Sequence, residues 1–393
     1  MTNKPLLKCY EEPADHPGGV RQLSLSSFRN YNQVSLTLDS RPVIIVGHNG
    51  AGKTNLVESL SLLSSGRGLR SAKLPHFLNQ TAESALGSWA VSCRLQDNMG
   101  DDFHIGTALT KTASGSEKRI VRINQDSIKN QFELSEWLSV VWMTPYMDQV
   151  FTEGASSRRR FLDRLIQALY PEHSAQVYRY EHLLRERMHV LRSSRPSAAW
   201  LSAIETKIAA AGVAISSIRQ QFVAQLQSLQ LTDSPFPQFI ADMQGDIEQW
   251  LQMMPALMVE ERFQAKLEQN RAVDRENQNT ACGAHKANLA VKHKNKQCYA
   301  ELCSTGEQKM LLLAIILAFL RLQMLQTDVV RPHLLLLDDA VTHLDDQHRA
   351  VLFSEIANLK AQVWLTGAQE SDFTGMEAAA QWITIEQGII TQH

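Results

Sequence analysis

Eight consecutive residues, Gly47-His48-Asn49-Gly50-Ala51-Gly52-Lys53-Thr54, fit the pattern G-x-x-x-x-G-K-[ST]. Phosphate chemistry asks for these types at this spacing. Glycines let the backbone fold tightly and turn its N–H groups inward around phosphate oxygens. A helix starting at Lys53 adds the partial positive charge of its N-terminus. Lys53 can reach the terminal phosphates of ATP, and the Thr54 hydroxyl can ligate Mg²⁺. Both flanks suit the motif. Residues 43–46 are an unbroken apolar run, as in a strand covered on both faces. After the motif, Leu56, Leu60 and Leu63 recur at helical spacing. A chance match in a glycine-containing turn would have no reason to carry both flanks.

A second candidate site closes the run Leu334-Leu335-Leu336-Leu337 with two carboxylates, Asp338 and Asp339. Asp338 stands where a Walker B carboxylate holds Mg²⁺, directly or through water. Asp339 stands where a general base polarises the attacking water. A buried strand leaving through an acidic turn is the plainer alternative; the company of the phosphate loop argues for chemistry. Asp338 follows Lys53 by 285 residues. Compact kinases and GTPases hold these motifs much closer. The wide gap resembles ABC-type ATPases of chromosome structure and repair, whose half-motifs flank an arm.

Leu302-Cys303-Ser304-Thr305-Gly306-Glu307-Gln308-Lys309 precedes a long apolar run, residues 310–320, and resembles the ABC signature, commonly L-S-G-G-Q. Ser304, Gly306 and Gln308 fit; Thr305 and Glu307 depart from the commonest form. A hydroxyl and a glycine N–H at a helix N-terminus make an anion site. In this class that site takes the γ-phosphate of ATP held by the partner subunit. Ser304 and Glu307 equally fit an S/T-x-x-E/Q helix cap, and the two readings are compatible. His343-Leu344-Asp345-Asp346 resembles the D-loop. Thr366-Gly367 follows the last buried strand, where ABC ATPases often place a γ-phosphate-sensing histidine. None stands there, which points to slow hydrolysis or a different sensor.

The elements that must position these groups follow from periodicity. Leu23 and Leu25, then Val34, Leu36 and Leu38, alternate with polar residues. Trp89, Val91, Cys93 and Leu95 do the same, as do Phe103, Ile105, Thr107 and Leu109, so an antiparallel sheet is expected. Residues 334–337 and 363–365 read as buried strands. The character changes after about residue 145. Residues 158–195 hold nine Arg and no Lys against four acids, a local net of +5. This suits a DNA-backbone surface, or a solvated or internally paired helix face. Leu201, Ile204, Ile208, Ala211, Ile215, Ile218 and Phe222 then repeat at spacings of three and four, a heptad-like seam on one long helix, either a short coiled coil or, with so few heptads, an amphipathic helix packed in a small bundle. Lys292, His293, Lys294 and Lys296 form a second basic run, either a loop beside DNA or a soluble turn. The expected fold is α/β: an ABC-type P-loop ATPase head, a mixed sheet with flanking helices, carrying an inserted helical arm. The expected divisions are a tail over 1–19, half of the head over 20–145, the arm over 146–275, and the other half over 276–393.

Composition bounds the partners. The chain has 39 Lys plus Arg against 41 Asp plus Glu, a formal net charge of −2, which excludes DNA binding by bulk charge alone. Positive charge must be local or assembled by dimerisation. Five cysteines without a C-x-x-C pair suggest neither a disulfide framework nor a zinc site, and fit a reducing compartment. The 310–320 run is shorter than the roughly 20 residues a membrane span needs. The first twenty residues hold acids and no apolar signal region. A cytoplasmic chain with no membrane partner is expected.

The sequence resembles the RecF family of bacterial DNA-repair ATPases over nearly its whole length. The likeness begins at Phe28-Arg29-Asn30-Tyr31, continues through 47–54 and Gly66-Arg67-Gly68-Leu69-Arg70, and resumes at Thr144-Pro145 and Arg158-Arg159-Arg160-Phe161-Leu162-Asp163. It closes with Gly283-Ala284-His285-Lys286, the signature, the acidic pair and Asp345. Lys286 and Asn288 replace residues that are commonly Arg and Asp there, and the first twenty residues lie outside the likeness. The resemblance implies an ATP-dependent homodimer, with ATP bound between the phosphate loop of one subunit and the signature of the other. It implies a clamp on DNA, double-stranded, single-stranded, gapped or junction-containing. It also implies work with RecO and RecR to load RecA on single-stranded DNA, and weak DNA-dependent ATP hydrolysis that opens the dimer. Arg29 and Asn30 are then expected near the nucleotide, Arg67 and Arg70 at phosphate or DNA, and Arg158, Arg159 and Arg160 at DNA. The nucleotide-binding subunit of a transporter is the alternative, but it would lack the Arg-rich arm and the wide motif spacing. A phosphotransferase with Asp339 as base is disfavoured by the signature.

Overall fold

The computed structural model describes residues 18–79, 87–111, 115–193, 196–325, 330–342 and 344–393. The expected tail lies outside them up to residue 17, and so does His343. The chain opens with β1 (Gly19–Phe28), β2 (Tyr31–Thr37), β3 (Val43–Val46) and α1 (Lys53–Ser61). There follow β4 (Ala90–Gln96), β5 (Asp102–Lys111), β6 (Glu117–Ile123), β7 (Asp126–Ser127), the short α2 (Leu134–Trp137) and β8 (Ser139–Met143). Helices then dominate: α3 (Ala155–Leu169), α4 (Glu172–Arg192), α5 (Ala198–Ser228), then β9 (Phe239–Gln244), α6 (Asp246–Met253), α7 (Ala256–Gln269) and α8 (Arg271–Asn277). The last part holds β10 (Asn288–His293), β11 (Cys298–Tyr299), α9 (Thr305–Met324) and β12 (His333–Leu337). It ends with α10 (Asp346–Ala357), β13 (Gln362–Gly367), β14 (Gln381–Glu386) and β15 (Ile389–Gln392).

The central sheet has the order β15-β14-β3-β13-β12-β8, and only the β14–β15 pair is antiparallel. Every residue of β3, β8, β12 and β13 is buried, the pattern of a parallel sheet covered on both faces. β3 lies between two strands from the far end of the chain, so the sheet cannot close until the sequence after the arm has arrived. A second, antiparallel sheet runs β2-β1-β4-β5-β6-β7. Leu23 and Leu25 are buried on one face while Ser26 is exposed, which is the half-buried alternation read from sequence.

α9 is buried on nearly every side from Leu311 to Leu320, so its apolar run is explained by a place inside the main core. The arm has its own smaller core, in which Tyr180, Ile204, Ile208, Val213, Val259 and Phe263 meet. Gly212 is required there, because a Cβ would lie 2.9 Å from Phe263 and 3.1 Å from Tyr180. α5 is long and apolar enough to cross a membrane by length and composition, but half of its most apolar window is buried within the protein. One expectation is corrected. Residues 146–275 were read as helical, yet β9 pairs antiparallel with β10 in a three-stranded sheet with β11. Phe239, Ala241 and Met243 are buried while Ile240, Asp242 and Gln244 are exposed, a period of two that a helix cannot satisfy.

Two buried ion clusters fix the arm. Arg187 is fully buried and donates to Glu205 at 2.9 Å, Asp274 at 2.8 Å, Thr280 at 3.2 Å and the carbonyl of Leu267 at 2.7 Å. Arg219 on α5 donates to both oxygens of Asp163 on α3, which also lies 2.8 Å from His173 Nε2. Arg187→Ala would leave Glu205 and Asp274 buried without this cation. It is expected to destabilise the arm by about 3–5 kcal/mol, read as a lowered urea midpoint.

Candidate functional site

The phosphate loop lies between β3 and α1. α1 has no side-chain cap and no acidic residue in its first turn, so its free N–H groups and positive dipole end face the loop. Gly50 and Gly52 take φ of +83° and +121°. A Cβ on Gly52 would lie 2.5 Å from Asn30 Nδ2 and 2.7 Å from the Tyr31 hydroxyl, whereas one on Gly50 would meet nothing within 4 Å. The loop is therefore tight against the β1–β2 turn and open on its other side, with His48 and Asn49 exposed at its crest. Tyr31 donates to the Gly52 carbonyl at 3.0 Å and Asn30 to the Ala51 carbonyl at 3.2 Å. Lys53 is 8% exposed and its ammonium donates to the carbonyls of Gly47 at 2.5 Å and His48 at 3.1 Å. Burial pushes its pKa down, against the pull of Asp339 and Asp338.

The two motifs meet at one carboxylate. Thr54 Oγ1 donates to Asp338 Oδ1 at 3.0 Å, and Thr366 Oγ1 donates to the same oxygen at 2.9 Å. Asp338 is 4% exposed. Burial raises its pKa, opposed by the hydroxyls of Thr366 and Thr54 and by the charge of Arg70. A hydroxyl and a desolvated carboxylate on one side of a phosphate loop are the hard oxygen donors that suit Mg²⁺. Asp339 follows with φ of +54°. Its N–H donates to Thr366 Oγ1 at 2.9 Å, and the Thr342 hydroxyl donates to its carboxylate.

The arginines divide sharply. Arg29 donates to Glu58 at 2.9 Å and stacks on Phe77, with its guanidinium carbon 4.9 Å from the ring centroid. Asn30 is thus on the loop, and Arg29 is one step behind it. Arg70 donates to Asn55 at 2.9 Å and to the same Glu58 at 3.3 Å, both on the helix that follows the loop. Arg67 is exposed. The expectation that Arg158 meets DNA is corrected. Its side chain is buried, donating to Asn288 at 2.8 Å and approaching Glu301 at 3.6 Å. It also donates to the carbonyl of Phe151. Arg159 is half-buried and donates to the Ala287 carbonyl at 2.6 Å. Arg160 alone of the three is exposed. The 292–296 run is half strand and half turn: Lys292 and His293 end β10, with Lys292 over Tyr299 at 4.6 Å and His293 buried, while Lys294 donates to Gln238 at 2.8 Å and Lys296 pairs with Glu307 in the turn that follows.

At the signature, Ser304 caps α9. Its hydroxyl accepts the Glu307 N–H at 3.4 Å, and the Glu307 carboxylate accepts the Ser304 N–H at 2.9 Å. Lys296, then these bonds, hold the Glu307 pKa down at about 2. Ser304, Thr305 and Gly306 are exposed, and a Cβ on Gly306 would meet nothing within 4 Å. Gln308 is buried and donates to the Cys303 carbonyl at 2.9 Å. Asp345 caps α10, accepting the His348 N–H at 2.9 Å. Sequence reasoning missed that Thr366 pairs with Asp338 and that Glu58 gathers Arg29 and Arg70. Glu58 had a signal, a carboxylate between Leu56 and Leu60 on an apolar helix face. Thr366 stood in the sequence only as the slot of an absent sensor histidine, and its pairing with Asp338 shows only in the register of β12 on β13.

The family model described as RecF/RecN/SMC N terminal domain matches residues 19–391. A DNA replication and repair protein RecF of Mesorhizobium japonicum is 40% identical over 374 residues, covering 94% of this chain and 97% of that protein. Those of Rhizobium meliloti and Brucella abortus are 37% and 38% identical over 96% and 95% of this chain, and 99% and 96% of their own lengths. Among solved structures, a recombination mediator protein RecF with ATP, in the RecFOR pathway, superposes with a TM-score of 0.82 at 20% identity, covering 98% of this chain and 100% of that one. A Pyrococcus furiosus Smc head bound to the C-terminal domain of ScpA superposes with a TM-score of 0.53 at 12% identity, over 96% of each chain. The fold is thus that of the α/β ABC-type ATPase head with an inserted helical arm.

Asp338 makes a pH prediction. Its folded pKa lies above the ordinary 3.8, so folding disfavours its charged form. Its relative contribution to stability is full below the unfolded pKa and lost as pH rises through the folded one. Asp338→Asn should therefore melt at higher temperature than the parent at neutral pH. The difference should shrink as pH falls through the carboxylate range, as read by calorimetry without nucleotide.

Proposed function

Because the chain belongs to the RecF family, we propose that it is an ATP-driven DNA-binding switch of recombinational repair and replication, working in the cytoplasm. The observation that carries this reading is the 3.0 Å bond joining Thr54 to Asp338 across 284 residues, beside a phosphate loop of the right sequence. It supports a nucleotide site assembled from both ends of the chain and favours the head of a repair ATPase over the transporter-subunit alternative.

On this reading ATP lies along the open side of residues 47–54. Lys53 exchanges the carbonyls of Gly47 and His48 for phosphate oxygens. Thr54 and Asp338 are the residues that would hold Mg²⁺, which supplies charge neutralisation at the phosphates. Asp339 accepts a proton from the attacking water, whose oxygen bonds to the γ-phosphorus as the bond to the β,γ-bridging oxygen breaks. The exposed N-terminal turn at Ser304, Thr305 and Gly306 binds the γ-phosphate of the partner subunit's ATP. Two phosphates held this way close a homodimer over gapped or junction DNA. Slow hydrolysis opens it, and RecR and RecO cooperate in loading RecA on the single strand. Arg160 and Arg67 remain as candidate phosphate contacts on DNA.

Lys53→Ala removes charge-assisted hydrogen bonds of about 1.5–3 kcal/mol each, so nucleotide affinity should fall roughly 100-fold, measured by calorimetric titration. Ser304→Arg should bind ATP as a monomer yet fail to form the ATP-induced dimer in light scattering. A dimer of normal mass would sink the shared-site reading. Asp339→Asn should slow turnover by roughly 10²- to 10⁴-fold and prolong the dimer, with ATP affinity unchanged.

A further inference from the structure

We propose that Lys309 is a positioning residue that ties the signature helix to the turn carrying Asp339. The signature of one chain, engaged by its partner's nucleotide, thereby sets the hydrolytic geometry of that same chain's own site. This regulation rests on the shared-site reading above and adds to it a link inside each chain.

Lys309 stands on α9 one turn beyond the exposed Ser304-Thr305-Gly306 segment. Its ammonium donates to the Thr342 carbonyl at 2.7 Å and to the Asp339 carbonyl at 3.3 Å. Asp339 is in the left-handed region at φ +54°, which aspartate tolerates but which needs support from its surroundings. That support comes from three directions. Thr366 on β13 accepts its N–H at 2.9 Å, Thr342 donates to its carboxylate, and Lys309 holds its carbonyl. Only the last of these comes from the signature helix. Both lysine bonds are charge-assisted, and Lys309 is itself partly buried.

α9 is packed on nearly every side beyond Leu311, so its first two turns move as an extension of a stiff rod rather than as a loop. An anion drawn to the N-terminus of α9 shifts the origin of Lys309 by the same rigid-body motion. The carbonyls of Asp339 and Thr342 follow, and the Asp339 carboxylate follows its backbone. The turn 339–342 continues toward Asp345, the cap of α10. Hydrolysis in each subunit then depends on whether that subunit's own signature is engaged, which couples the two sites of a dimer.

The test uses Lys309→Met, which keeps the length and apolar stem of the side chain, with Lys309→Arg as the conservative rescue and Lys309→Gln should the methionine variant not fold. Each full chain is compared with the parent for ATP affinity, ATP-induced dimer mass and hydrolysis as a function of ATP concentration. Lys309→Met or Lys309→Gln should bind ATP and dimerise as the parent does, while turnover falls roughly 10- to 100-fold. Cooperativity in ATP should be lost, and Lys309→Arg should restore both. A variant that dimerises and hydrolyses with parental rate and cooperativity overturns the link. Ser304→Arg separates the two ideas. If it still dimerises, the shared-site reading fails; if it stays monomeric while Lys309→Met behaves as the parent, only the link fails. A parent that dimerises on ATP without turning it over leaves the shared site standing and overturns the link, because there is then no hydrolysis for Lys309 to set.

Discussion

Asp338 Oδ1 is where the molecule is joined. It accepts from Thr54, in the helix after the first central strand, and from Thr366, at the end of a strand near the other end of the chain. A carboxylate buried in this way is costly unless its lone pairs are met and a cation is near. Everything around it can be read as meeting that demand. β3 is enclosed by β13 and β14, β12 runs beside β13, and all end on the same side of the sheet because they are parallel. The loops that follow parallel strands share one edge, and there the phosphate loop, the acidic pair and Thr366 come together.

The arginines show how the same fold disposes of charge. A +5 stretch looks like a nucleic-acid surface, but Arg158 and Arg187 are buried and committed to acids and carbonyls of the protein. Arg219, farther along the arm, is committed in the same way. These bonds join α3, α4, α5, α8 and the strand after the arm, so they fix how the arm leaves the head. Glu58 does the same next to the nucleotide loop, gathering Arg29 and Arg70 on one buried carboxylate. Among the described arginines of that stretch, Arg160, Arg179, Arg185 and Arg192 stay exposed, so the solvent-facing positive charge is smaller than the sequence count of nine suggests.

Much of the fold and the core of the site were legible in the sequence, because they rest on local signals. The run 43–46 is apolar throughout, so it had to be a strand covered on both faces. The motif 47–54 names its own chemistry through glycine, lysine and threonine at fixed spacing. The Ser304–Glu307 cap follows from two residue types three positions apart. β9 was not legible, since its six residues are interpretable only beside β10.

The sequence by itself determined the residue types that can handle a phosphate, the apolar strands that carry them, and the helical character of the arm. These depend on spacing within a few residues, and covalent geometry translates such spacing directly into structure. The tertiary structure alone decided which groups share a partner: Thr366 on Asp338, Arg70 with Arg29 on Glu58, Lys309 on the carbonyl of Asp339, and Arg158 turned inward rather than out. Those choices are made by contacts between segments up to hundreds of residues apart. No local pattern encodes them, because desolvation and charge pairing are settled only when the whole chain has closed around them.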